Sequence, residues 1–176
     1  MDDLLKKLKL IDYLTTSLQI SKAEFVNSLN KITDEGNTGM MSDTFDIFSS
    51  SKNEFKGQIT PHNFKIKRRR RLFDTNGNFA VANGTFSENN GQLTIETEIN
   101  GFNNFFIFFY AFLIIFYCIF IFGFLIGEDK EGLIAIPFII FHALFMFGIP
   151  YFLMRRSVKR LKYELEREFF YLTKQQ

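Results

Sequence analysis

Two long apolar segments constrain this chain more than any other feature of its sequence. Residues 105–126 and residues 133–154 contain no Asp, Glu, Lys or Arg, and each segment is 22 residues long. A helix rises about 1.5 Å per residue, so each segment is roughly 30 Å long, the thickness of a bilayer's hydrocarbon core. A chain of 176 residues has too little other protein to bury two helices that are apolar on every face. We therefore predict two transmembrane helices that form a hairpin over residues 102–154.

The charges beside these segments predict their orientation. Five basic residues lie between Arg155 and Lys162, directly after the second segment, whereas the connection 127–132 has one lysine and three acidic residues. Basic flanks stay on the cytoplasmic side of a membrane. We therefore expect a multi-pass protein of a bacterial inner membrane, surrounded by membrane lipids, with both termini in the cytoplasm.

One polar pair is expected inside the hairpin. If the two segments run antiparallel, Tyr117 lies level with His142 near the middle of the bilayer. An ionisable residue at this depth is one candidate for a functional site, and an interhelical hydrogen bond is the other interpretation. We favour the hydrogen bond, because a lone histidine without acidic partners makes a poor proton relay.

Phenylalanines follow one face of the first segment at steps of three and four residues. Phe112 and Phe116 lie at the centre of this stripe. The stripe either lines a constriction that closes by dewetting or forms a surface that faces lipid and packs against helices. The second interpretation is the more common one for apolar faces of membrane helices.

A hinge and an amphipathic helix are predicted at the end of the second segment. Gly148 and Pro150 predict the hinge, because proline removes a backbone hydrogen bond and bends a helix. Residues 155–176 then predict a basic, cytoplasmic amphipathic helix that packs either on the N-terminal domain or on copies of itself. Its apolar positions are Val158, Leu161, Leu165, Phe169 and Leu172.

The N-terminal half predicts a cytoplasmic α+β unit. Residues 1–33 predict two helices, the second of which opens at the capping pair of Ser21 and Glu24. Residues 34–53 predict a polar linker with one helical turn around Phe45 and Phe48. Residues 54–101 alternate between apolar and polar positions and contain turn sequences, so they predict a four-stranded antiparallel β-meander.

The second strand of this meander, predicted over residues 64–73, contains six cations in seven residues. Strand alternation puts Arg68 and Arg70 on the face of Phe64, and the other cations on the face of Phe73. Glu96 and Glu98 are predicted to pair with one face, which leaves the other as a site for a polyanion. The predicted site contains Phe64, Lys65, Lys67, Arg68, Arg69, Arg70, Arg71 and Phe73.

Three interpretations of this basic strand remain open. It is a solvated strand, or it docks on anionic lipid headgroups, or it binds a single-stranded nucleic acid or nucleotide. In the third case the phenylalanine at either end of the strand is available to stack on a base.

The usual catalytic arrangements are missing from the sequence. There is no glycine-rich phosphate loop, and no Ser or Cys is placed with a His. The single cysteine, Cys118, excludes an internal disulfide and a multi-cysteine zinc site. We therefore expect a protein that is not an enzyme and that uses no cofactor or metal.

In layout, a small cytoplasmic domain joined to a two-helix membrane hairpin, the chain resembles the membrane effector subunits of bacterial antiphage defence. Among these, the Hailong system, whose membrane effector is a channel controlled by single-stranded DNA, has a similar plan. The resemblance concerns layout and implies a ligand-controlled membrane effector.

Two functions are therefore predicted. The first is a homo-oligomeric channel or membrane-disrupting effector of four or more copies, gated by a polyanionic ligand at the basic strand. The alternative is a membrane-anchored binding or assembly subunit without a pore, which docks on anionic lipid or on a cytoplasmic protein partner.

Overall fold

A computed structural model describes residues 2–39, 49, 51–71, 78–126 and 132–174. The chain divides into two compact units. One unit contains Met1–Phe102 and Met154–Gln176, and the other contains Asn103–Leu153. The apolar hairpin is therefore an insertion into the chain of a mixed α+β domain.

The α+β domain is built on one six-stranded sheet in the order β1-β6-β5-β4-β3-β2. All neighbouring strands are antiparallel except β2 and β3, which are parallel. The elements in chain order are α1 (Asp2–Lys7), β1 (Ile11–Leu18), α2 (Lys22–Ile32), β2 (Thr33–Glu35), β3 (Phe55–Ile59), β4 (Asn63–Arg68), β5 (Val81–Asn89), β6 (Gln92–Asn100), α3 (Asn104–Ile126) and α4 (Gly132–Lys174).

The sheet has two more strands than predicted. β3 to β6 form the expected meander, but β1 replaces most of the first predicted helix, and β2 adds a short edge strand. The spacing of Leu14 and Leu18 fits a helical face and also one face of a strand. Tyr13, Thr15 and Thr16 favour a strand, and the whole of β1 is paired with β6.

The predicted start of α2 is confirmed. The Ser21 hydroxyl accepts a hydrogen bond from the Glu24 backbone N–H at 3.3 Å, and Ser21 has the extended backbone of an N-cap residue. Phe25 and Leu29, one turn apart on this helix, are buried against the sheet. The cap therefore fixes where this helix begins beneath the sheet.

The C-terminal part of α4 completes the core of the domain. Its predicted apolar stripe is buried in one cluster with α2 and one face of the sheet. The ring of Phe169 lies edge-on to Phe25 at 5.3 Å and to Phe64 at 6.2 Å between centroids. Of the two partners predicted for this helix, the structure contains the first, its own N-terminal domain.

The basic strand is shorter than predicted, because β4 ends at Arg68. The helical turn around Phe45 and Phe48, the candidate residue Phe73 and the turn at residues 74–77 lie outside the described residues.

In the second unit, α3 and the part of α4 up to Leu153 match the two predicted segments closely. Both helices are long enough and apolar enough to cross a membrane. α4 continues as one helix through Gly148 and Pro150, so the hinge stays a prediction.

Candidate functional site

Lys67, at the centre of the basic strand, belongs to the interior of the domain. It lies opposite Lys56 in the register of β4 and β3, and the two residues are only 1% and 2% exposed. Lys67 is therefore not part of an open surface that could receive a polyanion.

Arg68 joins the sheet to the C-terminal helix. Its Nε lies 2.9 Å from a carboxylate oxygen of Glu164, and Arg160 Nε donates a hydrogen bond of 2.9 Å to the other oxygen. Glu164 is buried, so its charge is removed from water and compensated by two guanidinium groups. This cluster ties β4 to α4.

Arg69 is held by the edge strand β2. Its guanidinium lies 2.6 Å from the carboxylate of Asp34 and donates to the Ser49 hydroxyl at 3.1 Å. The Ser51 hydroxyl, and with smaller effect the Asn53 amide and Arg69, lower the pKa of Asp34 below its ordinary value. The carboxylate is therefore ionised at neutral pH and compensates Arg69.

The acidic partners predicted for the basic strand are not the ones in the structure. β5 lies between β4 and β6, so Glu96 is opposite Thr85, and Glu98 is opposite Asn83. Glu98 instead accepts a hydrogen bond of 3.4 Å from the Tyr13 hydroxyl. The observed partners, Asp34 and Glu164, come from β2 and α4 and reach the arginines through the tertiary fold.

The predicted polyanion site is thus divided among several environments. Phe64 is buried in the core, and Arg71 donates to the backbone carbonyl of Lys52 at 3.0 Å. Lys65 and Arg70 are exposed and have no ion pair with any residue that the structure describes. These two residues lie apart, one on the strand and one beyond its end.

A different basic surface lies at the end of the domain where the chain leaves for the hairpin and returns from it. The Gly101 N–H donates to the Leu10 carbonyl at 2.9 Å, and a Cβ on Gly101 would lie 3.1 Å from the Met154 carbonyl oxygen. Ser157, in the first turn after the return, accepts hydrogen bonds from the backbone N–H groups of Phe79 and Ala80 at 3.0 and 2.9 Å. The chain therefore leaves the domain after Gly101 and re-enters it at Met154 at neighbouring positions, and hydrogen bonds hold both segments to the sheet.

Exposed cations collect at this end. The register aligns Ile11, Asn100, Val81 and Lys67 in one row, so the α1–β1 turn and the residues after β4 share an end of the sheet. The hydrogen bonds of Ser157 to the residues before β5 place the start of the α4 tail at the same end. We call the exposed cations of these three segments the basic end: Lys7, Lys9, Arg70, Arg71, Arg155, Arg156 and Lys159.

Two acidic residues at the same end are already engaged. Asp12 is paired with Lys162 at 3.0 Å, and Glu54 is paired with Arg167 at 3.5 Å. These contacts reduce the acidic charge that is available to neutralise the basic end. The sequence alone predicted the cations after the second apolar segment as a basic flank. It did not predict that Lys7, Lys9, Arg70 and Arg71 lie at the same end, because these residues are up to about 150 positions away and only the fold brings them there.

α1 adds apolar side chains to the basic end. Leu4 and Leu8, one turn apart, are 60% and 38% exposed. Lys7 and Lys9 flank Leu8. Exposed leucines beside lysines are typical of elements that lie in the interface of a membrane.

In the second unit, the predicted pairing of Tyr117 with His142 is confirmed. The Tyr117 hydroxyl lies 2.8 Å from His142 Nδ1. The Tyr110 hydroxyl also donates to the Phe147 carbonyl at 3.3 Å, and their rings stack. Polar side chains thus link α3 to α4 at two levels.

An open groove of about 280 Å³ lies beside this pair, and we call it the hairpin groove. Phe116 lines the groove, whereas Phe112 is 64% exposed and is not among the lining residues. The groove is almost entirely apolar apart from Tyr117 and His142. Its lining residues are Phe116, Tyr117, Phe120, Phe124, Phe138, Ile139 and His142.

No protein-family model, curated protein or solved structure matches this chain. Within the described residues, no group of three or more His, Cys, Asp or Glu side chains is placed to hold a metal ion.

Proposed function

We propose that this chain is a membrane-anchored docking protein. In this proposal α3 and the part of α4 up to Leu153 cross a bilayer, and the basic end binds anionic lipid headgroups on the side where both termini lie. This is the pore-free alternative from the sequence, with lipid as the partner.

The position of the exposed cations carries the proposal. The segments that carry them lie at the same end of the sheet as Gly101 and Met154, the residues that flank the apolar insertion. In this proposal the headgroups lie next to the two segments in which the hairpin begins and ends. Each basic residue near an anionic surface contributes about 1 kcal/mol of attraction, and the exposed leucines of α1 suit the interfacial region.

Replacing Arg155, Arg156 and Lys159 together by glutamine is expected to remove most of the preference for anionic lipid. Three cations at about 1 kcal/mol each correspond to at least a tenfold loss of relative affinity. The measurement is the selectivity of the full chain for spin-labelled phosphatidylglycerol over phosphatidylcholine in nanodiscs, by electron paramagnetic resonance.

Two further variants make this test specific. Exchange of Arg155 and Arg156 for lysine keeps the charge and is expected to keep the lipid preference. Lys22→Gln removes a cation from the opposite end of the sheet, beside Glu88, and is expected to have no effect. A wild-type chain without preference for phosphatidylglycerol would contradict lipid docking.

The polyanion-gated channel of four or more copies stays a prediction. In the described structure Lys67, Arg68 and Arg69 are engaged within the domain, so the arrangement supports lipid docking better than a nucleic-acid site on β4. An oligonucleotide-dependent current from the purified chain in planar bilayers would favour the channel instead.

A further inference from the structure

We propose that a cavity at the edge of the sheet binds an alkylammonium group, such as one end of a diamine. The cavity, which we call the edge cavity, lies within the α+β domain and is lined by residues of α2, β2 and β3. Its volume is about 510 Å³, within the range of cavities that hold small organic ligands. This inference goes beyond the proposed function and does not require the hairpin to lie in a bilayer.

The unequal lengths of β2 and β3 leave space for the edge cavity. β2 has three residues and pairs only with the first three residues of β3. Gln58 and Ile59, the last two residues of β3, therefore have no strand beside them on this side. α2 ends directly before β2, so its last turn lies at the same place. The residues that line the cavity include Asn30, Thr33, Glu35, Gln58, Ile59 and Thr60.

The edge cavity carries a negative charge that no nearby cation compensates. Glu35 is exposed, and its carboxylate makes no ion pair with any residue that the structure describes. Among the described residues, no Lys, Arg or His lines the cavity, and Lys31 in the last turn of α2 is exposed outside it. The C-terminal end of a helix also favours cations, because its last carbonyl groups carry partial negative charge. The cavity therefore attracts a cation and repels an anion such as phosphate.

The polar groups of the edge cavity suit an ammonium ion. Asn30 and Glu35 are exposed, and within the described part of the chain neither side chain makes a hydrogen bond. Both supply oxygen acceptors, whereas a primary ammonium has three donors and no acceptor. The inner wall is polar as well, since Thr33 is only 8% exposed and its hydroxyl has no hydrogen-bond partner among the described residues.

A small organic cation fits this cavity better than a metal ion does. Ca²⁺ and Mg²⁺ need several oxygen ligands in a defined geometry, whereas Glu35 is the one acidic residue among the described residues of the lining. The volume also exceeds what a single ion fills. Ile59, which is partly buried against the core, offers an apolar contact to the methylene groups that follow an ammonium. The ligand class is therefore an alkylammonium with a short carbon chain.

The experiment measures binding of putrescine to the full chain by isothermal titration calorimetry, in a neutral detergent at low ionic strength. The wild type is expected to bind putrescine but not 1,4-butanediol, which has the same carbon chain with hydroxyl groups in place of the ammonium groups. Glu35→Gln is expected to raise the dissociation constant roughly fivefold, the effect of one partly exposed ion pair. Asn30→Asp adds a second carboxylate and is expected to lower the dissociation constant by a similar factor.

Glu96→Gln is the matched control, because Glu96 is an exposed acid on β6, three strands away from β3. It is expected to bind putrescine as the wild type does. Equal weakening by Glu35→Gln and Glu96→Gln would indicate attraction to the overall charge of the domain and would overturn the inference. A wild type that binds no putrescine, or that binds 1,4-butanediol equally well, would overturn it too, as would unchanged binding by Glu35→Gln.

Discussion

Replacing Phe169 with alanine is expected to lower the free energy of unfolding of the sheet domain by about 3 to 5 kcal/mol. Phe169 is fully buried, and its ring packs edge-on against Phe25 and Phe64. The substitution leaves a cavity between α2, the sheet and α4. The free energy can be measured by hydrogen exchange of the amides of β4 to β6 in the full chain, in mild detergent.

Phe170 provides the matched control for this substitution. It is the next residue on the same helix, and it is 53% exposed. Phe170→Ala is expected to change the free energy of unfolding by less than about 1 kcal/mol. Equal effects of the two substitutions would show that the C-terminal part of α4 does not complete the core. The domain would then not be held to the chain on both sides of the hairpin.

Replacing Glu164 with glutamine is expected to destabilise the same domain by about 2 to 4 kcal/mol. The carboxylate is buried and lies 2.9 Å from both Arg68 Nε and Arg160 Nε. The neutral amide would leave two guanidinium groups without their shared counter-charge. Loss of one partner from a buried ion pair typically costs about 3 to 5 kcal/mol, and the partial exposure of Arg160 lowers the expected value.

Two comparisons make the Glu164 prediction specific. Glu166→Gln changes an exposed acid on the same helix and is expected to have little effect. Exchanging Arg68 for methionine together with Glu164→Leu removes the two most buried charges and leaves the partly exposed Arg160 to solvent, so it is expected to recover much of the lost stability. A Glu164→Gln chain as stable as the wild type would contradict the assignment of this cluster as the link between sheet and tail.

The membrane-type helices were the most predictable part of the fold. The two charge-free stretches of 22 residues predict two long apolar helices, and the structure has a helix over each of them. The pairing of Tyr117 with His142 followed from the antiparallel hairpin alone. The amphipathic tail was equally clear, because its apolar residues repeat at helical spacing.

The sheet and its charges were less predictable. The leucines of β1 are spaced as in a helix, and only pairing with β6 makes this segment a strand. From the sequence the basic strand had no acidic partners nearby, because Asp34 and Glu164 lie about 35 and 95 positions from the arginines that they neutralise. The basic end could not be predicted from the sequence for the same reason, since its three segments become neighbours only in the folded domain.

The most direct test of the proposal is the accessibility of two cysteines in spheroplasts. In a Cys118→Ala background, Asp129→Cys places a thiol in the connection between the two apolar segments, and Glu166→Cys places one on the tail. A membrane-impermeant maleimide is expected to label position 129 in intact spheroplasts and position 166 only after lysis. Labelling of both positions before lysis, or of neither, would contradict a hairpin that crosses the membrane and keeps the domain on the inner side.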